Sequence, residues 1–374
     1  MYKHYLDNEQ MNFQINRFLE PFYSDKTVQE DVRIICKSIT DLESWYTGWN
    51  KLADVQHEVR NFKLASAYYQ LAEFFLEETD PRKIKTYKLF KESFYESIPN
   101  DFIKFYEVPY KGFSLPVATI THYKADKWLI FHGGFDSYLE ELIRLSITHL
   151  SDLDTYNILM FEGPGQGLPN KNGLPMTSEW EKPVSTILNF FGLNNVSLMG
   201  MSLGGYLALR TAAKDKRIKN VIAFDTFYSM EDAFLINAPK DLTNIPDLSD
   251  LKVRKSVDNL LEDYTKKSID LKFKINKAKE IFGKNSPSEI LIEMKKYSLL
   301  GIESEIEQDV LLLAGDNDMY VPTNRTSFLR NRLINASKVE SFIFSEESGG
   351  QYHCQVGNKS LAFEKVINFL NRAS

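Results

Sequence analysis

The sequence predicts an α/β protein: a mostly parallel eight-stranded sheet covered by helices, with a helical domain before it and a helical insertion within it. Three observations carry that expectation. Short apolar runs alternate with helical stretches from about residue 101 onward. Before that point, apolar and aromatic residues recur at helical intervals instead. Finally, one strand-to-helix junction, Gly200 to Gly204, reads Gly-x-Ser-x-Gly.

Residues 1–100 are assigned to an N-terminal helical domain. Thr40-Asp41-Leu42-Glu43 has capping-box spacing, and Trp45, Trp49, Leu52 and Ala53 follow it at helical intervals. Asp80-Pro81 is a second start signal, because a carboxylate caps free N–H groups and proline tolerates the first helical position. The helix it opens carries Ile84, Tyr87, Leu89, Phe90 and Phe94. Aromatics such as Tyr68, Tyr69, Phe74, Phe75 and Tyr95 are read first as core, and second as a pocket lining.

Residues 101–374 form the second domain. Phe102 to Val108 and Phe113 to His122 read as two strands around a Lys111-Gly112 turn. Trp128–Phe131, Ile158–Phe161, Val196–Met199, Val221–Phe224 and Val310–Ala314 are continuous apolar runs, the mark of parallel strands buried on both faces. Val339 to Phe344 supplies a last strand and Leu361 to Leu370 a closing amphipathic helix. Between Phe224 and Val310 the rhythm breaks for about eighty residues, far more than one crossover helix needs. A helical cap insertion over about 229–306 is expected there, above the carboxyl ends of the strands where ligands bind in open α/β sheets. Its lysine pairs, Lys266-Lys267 and Lys295-Lys296, read as a solvated face.

Composition narrows the function classes. The net charge is −6, with 45 basic against 51 acidic residues and no basic stripe, which argues against nucleic acid and anionic membrane as partners. Only two cysteines occur, Cys36 and Cys354, too few for a disulfide framework. The polar N-terminus lacks the apolar core of a secretory signal, and no apolar run approaches a membrane span. A soluble cytoplasmic protein acting on a small molecule is the expectation. The exposed faces of the N-terminal helices offer a surface on which a homodimer could form.

The chemistry concentrates in three places. Val196 to Met199 runs into Gly200-Met201-Ser202-Leu203-Gly204-Gly205 and then a helix, the pattern of a nucleophile elbow that exposes Ser202 at a helix N-terminus. A serine hydroxyl needs a base to take its proton, and His353 follows the last strand through a flexible Ser-Glu-Glu-Ser-Gly-Gly loop. Asp316 and Asp318 lie just past the Val310–Ala314 strand. Asp318, a few residues into the loop, is preferred as the acid that orients the base, completing the chain order Ser…Asp…His. Asp225, at the tip of the preceding strand, is an outside candidate whose plainer reading is a cap or loop residue. Oxyanion donors are expected from the backbone N–H of Leu203 and from the His132-Gly133-Gly134-Phe135 loop, at Gly134 with Phe135 as alternative. His132 and Cys354 read as packed side chains. Phe161 to Gly167 is glycine-rich but lacks the Lys-Ser/Thr ending of a phosphate loop, and reads as a tight turn at the rim of the site. No zinc-type ligand spacing appears, so neither metal nor cofactor is expected.

Several segments together resemble the bacterial and fungal α/β-hydrolases that carry a helical N-terminal domain. These include 2,6-dihydroxypseudooxynicotine hydrolase, the polyketide-shortening hydrolases of fungal pigment pathways and the FrsA-like esterases. The segments are Tyr68 to Phe74, Gly133 to Ser137 with Glu140-Glu141, Phe161 to Gly167, Gly200 to Gly205, Phe282-Gly283 with Ser286-Pro287, and His353 to Asn358. The resemblance implies that the helical segment and the insertion roof the active site, and it places the triad on Ser202, Asp318 and His353. It also points to an extra acidic residue after the strand that precedes the insertion, for which Glu231 is the nearest candidate substrate-binding group. The activity expected is ester or amide hydrolysis through an acyl-serine. A carbon–carbon bond hydrolase or pathway-linked acyltransferase or thioesterase is the alternative, and a non-catalytic ligand-binding protein on the same scaffold the remotest reading.

Overall fold

The computed structural model describes residues 1–99, 101–236, 238 and 246–372, so Asn100 at the expected domain boundary and part of the expected insertion lie outside the described residues. The chain divides into two compact units, Met1–Phe102 and Ile103–Ser374.

The first unit holds helices α1 (Glu9–Leu19), α2 (Lys26–Cys36), α3 (Leu42–Glu58), α4 (Phe62–Phe74) and α5 (Pro81–Ser97). The capping box of α3 sits one residue later than the Thr40/Glu43 spacing suggests. Asp41 accepts from the backbone N–H of Ser44, whose hydroxyl accepts from the backbone N–H of Asp41. A carboxylate caps at least as well as a threonine hydroxyl, and serine's short side chain can return the bond. Asp80 and Pro81 open α5 as expected. The aromatic side chains form this unit's core, with Trp45 edge-on to Trp49 and Phe75 at 5.6 and 5.1 Å. Within α5 the buried stripe passes through Lys83 and leaves Ile84 56% exposed. Lys83 turns inward because Glu73 is there to meet it, its Nζ lying 2.5 Å from a carboxylate oxygen and 2.8 Å from the Glu73 carbonyl.

The second unit is built on one sheet, in the order β1-β2-β4-β3-β5-β6-β7-β8. Its strands are β1 (Ile103–Tyr110), β2 (Phe113–Ile120), β3 (Lys127–His132), β4 (Tyr156–Phe161), β5 (Val196–Met201), β6 (Ile218–Phe224), β7 (Asp309–Gly315) and β8 (Lys338–Phe344). β2 runs antiparallel to both neighbours, and β3 to β8 run parallel. β2 stops two residues short of the expected His122. There the Asn157 side chain takes over, accepting from the His122 backbone N–H at 3.0 Å. The central strands β4 and β5 are buried at every position, which accounts for their uninterrupted apolar sequence.

Strand order reverses between β3 and β5, and ligands bind at such switch points. His132 at the end of β3 lies in register with Gly200 of β5, so the loop that leaves β3 sits beside the Gly-x-Ser-x-Gly turn. Helices α6 (Leu139–His149), α7 (Gly167–Lys171), α8 (Glu181–Phe191) and α9 (Gly204–Lys214) fall between β3 and β6 in the chain, and α10 (Met230–Leu235), α11 (Leu251–Thr265), α12 (Ile269–Phe282) and α13 (Pro287–Met294) between β6 and β7. The lysine pairs 266–267 and 295–296 are exposed there. Among the described residues, no helix is long and apolar enough to cross a membrane.

Candidate active site

β5 ends and helix α9 (Gly204–Lys214) begins within three residues, and Ser202 turns the corner in the left-handed region at φ 62°. A non-glycine residue held there stores strain, and such residues cluster at functional sites. The turn is pinned from both sides, since the Ser202 N–H donates to the Phe224 carbonyl at 2.9 Å and its carbonyl accepts from Gly205 N–H at 2.8 Å. It also requires Gly200, where a Cβ would stand 1.9 Å from the Gly204 carbonyl oxygen. The side chain of Ser202 thereby projects at the carboxyl edge of the sheet.

Three side chains remote in sequence meet at that point. Ser202 Oγ lies 2.8 Å from His353 Nε2, and His353 Nδ1 lies 2.8 Å from Asp318 Oδ2. Asp318 is fixed by the backbone N–H groups of Tyr320 and Val321, which donate to its other oxygen at 2.7 and 3.1 Å. Asp316, the alternative two residues earlier, is exposed. The Tyr320 and Phe227 rings stand edge-on to the imidazole at 4.8 and 6.3 Å. Burial works to lower the His353 pKa, but the Asp318 carboxylate first, then Cys354 and Asp225, hold it well above the ordinary 6.5. Burial raises the Asp318 carboxyl above its usual range, His353 opposes that rise, and Asp225 adds to it.

Asp225 also reaches this cluster. Its Oδ2 lies 2.9 Å from His353 Nδ1, and its carboxylate accepts from the Cys354 backbone N–H and the Gln355 side-chain amide, each at 2.8 Å. Asp225 lies in the bend after β6, as the plainer reading has it, and its carboxylate is engaged there by the base-bearing loop.

The loop after β3 faces the turn. Among the described residues the backbone N–H groups of Gly134, Phe135 and Leu203 have no hydrogen-bond partner, which leaves them available to an oxyanion. The approach is close. A Cβ on Gly134 would come within 2.8 Å of the Leu203 nitrogen. Gln166, fully enclosed, donates to the carbonyls of both Gly133 and Gly134, at 2.9 and 2.8 Å, and accepts from Gly163 N–H at 2.9 Å. Because a trans peptide sets N–H opposite C=O, fixing these carbonyls turns the N–H groups of Gly134 and Phe135 to the other side. Glu162 holds the same framework, accepting from Leu139 N–H at 2.7 Å and Leu168 N–H at 2.8 Å. The glycine-rich turn thus supports the loop as well as edging it. His132 lies wholly buried between Phe161 and Trp180, with Nδ1 2.9 Å from the Gly133 carbonyl, and burial lowers its pKa to about 4 despite that bond.

The insertion closes over this edge of the sheet. Phe282 of α12 packs on Phe135 at 5.7 Å, Ile281 accepts from Met176 N–H at 2.8 Å, and Tyr206 of α9 packs at a tilt against Tyr297 at 5.9 Å. Glu231, in the first turn of α10, is half-buried and makes no hydrogen bond or ion pair among the described residues. Its neighbour Asp232 instead pairs with Arg325 at 2.5 Å. The described residues hold one set with metal-ligand types within 4.8 Å, Asp225, His353 and Cys354, but the contact between Asp225 and His353 Nδ1 already occupies two of its ligand atoms.

Two residues at this site were not singled out from sequence, or were set aside. Gln166 carried no signal beyond its place in a glycine-rich turn. Asp225 did carry one, an aspartate directly at the carboxyl end of a buried strand adjacent to the serine's own.

Comparison with known proteins agrees with this architecture. Hydrolase ORFZ of Pyricularia oryzae is 30% identical over 260 residues, covering 65% of this chain and 61% of that protein. Hydrolyase ccsE of Aspergillus clavatus is 30% identical over 297 residues, covering 71% of this chain and 67% of that protein. The chain thus spans about three fifths to two thirds of the length of these curated relatives. The crystal structure of 2,6-dihydroxy-pseudo-oxynicotine hydrolase superposes with a TM-score of 0.62 at 18% identity, covering 90% of this chain and 89% of that one, a likeness of fold. No protein-family model matches the chain. With the elbow, the sheet order and relatives at this level of identity, the chain belongs to the α/β-hydrolase family.

Proposed function

We propose that the protein is a serine hydrolase that cleaves an ester or amide bond of a small, apolar or aromatic substrate through an acyl-Ser202 intermediate. One observation carries this reading: the unbroken line from Ser202 Oγ to His353 Nε2 and from His353 Nδ1 to Asp318 Oδ2, each step 2.8 Å. In that line His353 takes the serine proton as Oγ attacks the acyl carbon. It then gives the proton to the leaving group, and in the second half activates water to release the acid. Asp318 keeps the Nδ1–H tautomer and compensates the imidazolium. Leu203 N–H, with Gly134 or Phe135, supplies oxyanion donors, each worth about 3–4 kcal/mol of transition-state stabilisation. No cofactor enters these steps.

Tyr320 and Phe227 beside the imidazole, with Phe135 under the insertion, favour an apolar or aromatic group near the reacting carbon. Glu231 contributes no step. The test is burst kinetics with p-nitrophenyl esters of increasing acyl length and one aromatic ester. A burst of nitrophenol stoichiometric with enzyme, absent in Ser202→Ala, is expected; an equal burst from that variant would sink the assignment.

A further inference from the structure

We propose that Asp225 is a second positioning carboxylate for the base, sharing the Nδ1 proton of His353 with Asp318, so that either carboxylate alone keeps the imidazole oriented. This deepens, and rests on, the reading of Ser202 and His353 as nucleophile and base.

The two contacts are nearly equal in length, and the hydrogen bond runs to Asp318. Nδ1 lies 2.9 Å from Asp225 Oδ2 and 2.8 Å from Asp318 Oδ2, and both carboxylate side chains are 0% exposed. The two reach the imidazole from the ends of different strands, β6 and β7. Asp225 is held in the left-handed half of backbone space at φ 101°, a conformation that persists only where surroundings impose it. The surroundings do so here. Gly205 leaves room for its carbonyl, since a Cβ at that position would stand 2.1 Å from the Asp225 oxygen. The base-bearing loop turns through two successive residues with positive φ, Cys354 at 51° and Gln355 at 49°. That turn brings the Cys354 N–H and the Gln355 amide onto the Asp225 carboxylate. The base-bearing loop is thus fastened to Asp225, while Asp318 is fastened to its own loop. A loop clamp alone needs only the Cys354 and Gln355 bonds. Contact with Nδ1 is additional to them.

The proton balance follows. As Ser202 Oγ bonds to the acyl carbon, its proton passes to Nε2, and the imidazolium's Nδ1–H lies between two anions. The same proton then leaves Nε2 for the departing group as its bond to the acyl carbon breaks. Neither carboxylate is protonated in the cycle. Besides these two, the groups facing the imidazole are the Cys354 thiol, the Ser202 hydroxyl and the Tyr320 ring, with Lys274 of α12 5.2 Å from that ring.

The test uses the full chain and four variants, Asp225→Asn, Asp318→Asn, the double variant and Asp225→Gly. The glycine relieves the strained φ and so guards against loss of folding. His353 is titrated by nitrogen NMR, and fluorophosphonate inactivation rates are measured against pH. Removing either charge should lower the His353 midpoint by about 1–3 pH units, with the rise of the rate moving to lower pH in step. Changing a lone triad carboxylate to its amide costs about 10^4-fold; Asp318→Asn here is expected to cost on the order of 10- to 100-fold, and only the double variant the full amount. A midpoint unmoved in both Asp225 variants, or Asp318→Asn already as slow as the double variant, would overturn the proposal. If wild type leaves Ser202 unlabelled while Asp225→Asn still moves the midpoint, the hydrolase reading fails and the shared contact stands.

Discussion

Gln166→Met is the most informative single change outside the Ser202–His353–Asp318 line. Methionine fills a similar volume but removes two donors and one acceptor. It leaves the Gly134 carbonyl and the Gly163 N–H enclosed without this partner, and leaves the Gly133 carbonyl only its contact with His132 Nδ1. At about 1–3 kcal/mol for each stranded group, the Gly134 carbonyl and the Gly163 N–H together should cost at least about 2 kcal/mol of folding stability. The catalytic effect is separate. Once the two carbonyls are released, the peptides on either side of Gly134 are free to rotate and their N–H groups lose their aim. Loss of one aligned oxyanion donor costs about 10^2- to 10^3-fold in kcat. Steady-state kinetics on a p-nitrophenyl ester should therefore show kcat falling by that order with KM little changed, because the donors act on the developing oxyanion and not on the bound ester. Urea unfolding checks that the assay is run on folded protein. A variant that is destabilised but keeps wild-type kcat would refute the idea that Gln166 sets the donors.

Other consequences concern stability. Lys83→Met removes the ammonium that meets the Glu73 carboxylate, whose side chain is 0% exposed, and should cost about 3–5 kcal/mol in urea unfolding. Lys83→Met with Glu73→Leu should recover much of that, and a single variant no worse than the double would contradict the ion-pair account. His132 sets an acid limit. Its folded pKa of about 4 lies below the ordinary 6.5, so the fold favours the neutral ring. Its contribution is complete above 6.5 and is lost as pH falls through 4, a span worth about 3 kcal/mol. In His132→Gln, stability should fall less steeply over that window than in wild type. Equal slopes would show that His132 is not the group responsible.

The sheet and the elbow were legible because both rest on local rules. Buried parallel strands must be continuously apolar, and a strand-to-helix turn as sharp as that at Ser202 needs glycine where Gly200 and Gly204 stand. Asp318 and His353 could be placed because each follows a recognisable strand, although their meeting depends on the sheet order. What stayed hidden depends on contacts between segments far apart in sequence. Nothing local in Pro81 to Ser97 says that Lys83 will turn inward while Ile84 faces water, since the cause is Glu73 on another helix. Gln166 looks like a turn residue until the loop after β3 is laid against it. Asp225 reads as a loop residue because its role arises only when the turn at Cys354 and Gln355 folds back across the end of β6. The capping box shows the smaller kind of miss. Thr40/Glu43 and Asp41/Ser44 both have usable spacing, and the choice between them follows from where α3 begins.

The catalytic readings all rest on Ser202 as the nucleophile. The direct measurement is reaction of the full chain with a fluorophosphonate, followed by intact mass and peptide mapping of the adduct. One adduct per chain on Ser202, and none on Ser202→Ala, is the expected result. An adduct on another residue, or a Ser202→Ala variant labelled as fast as wild type, would contradict the proposed chemistry.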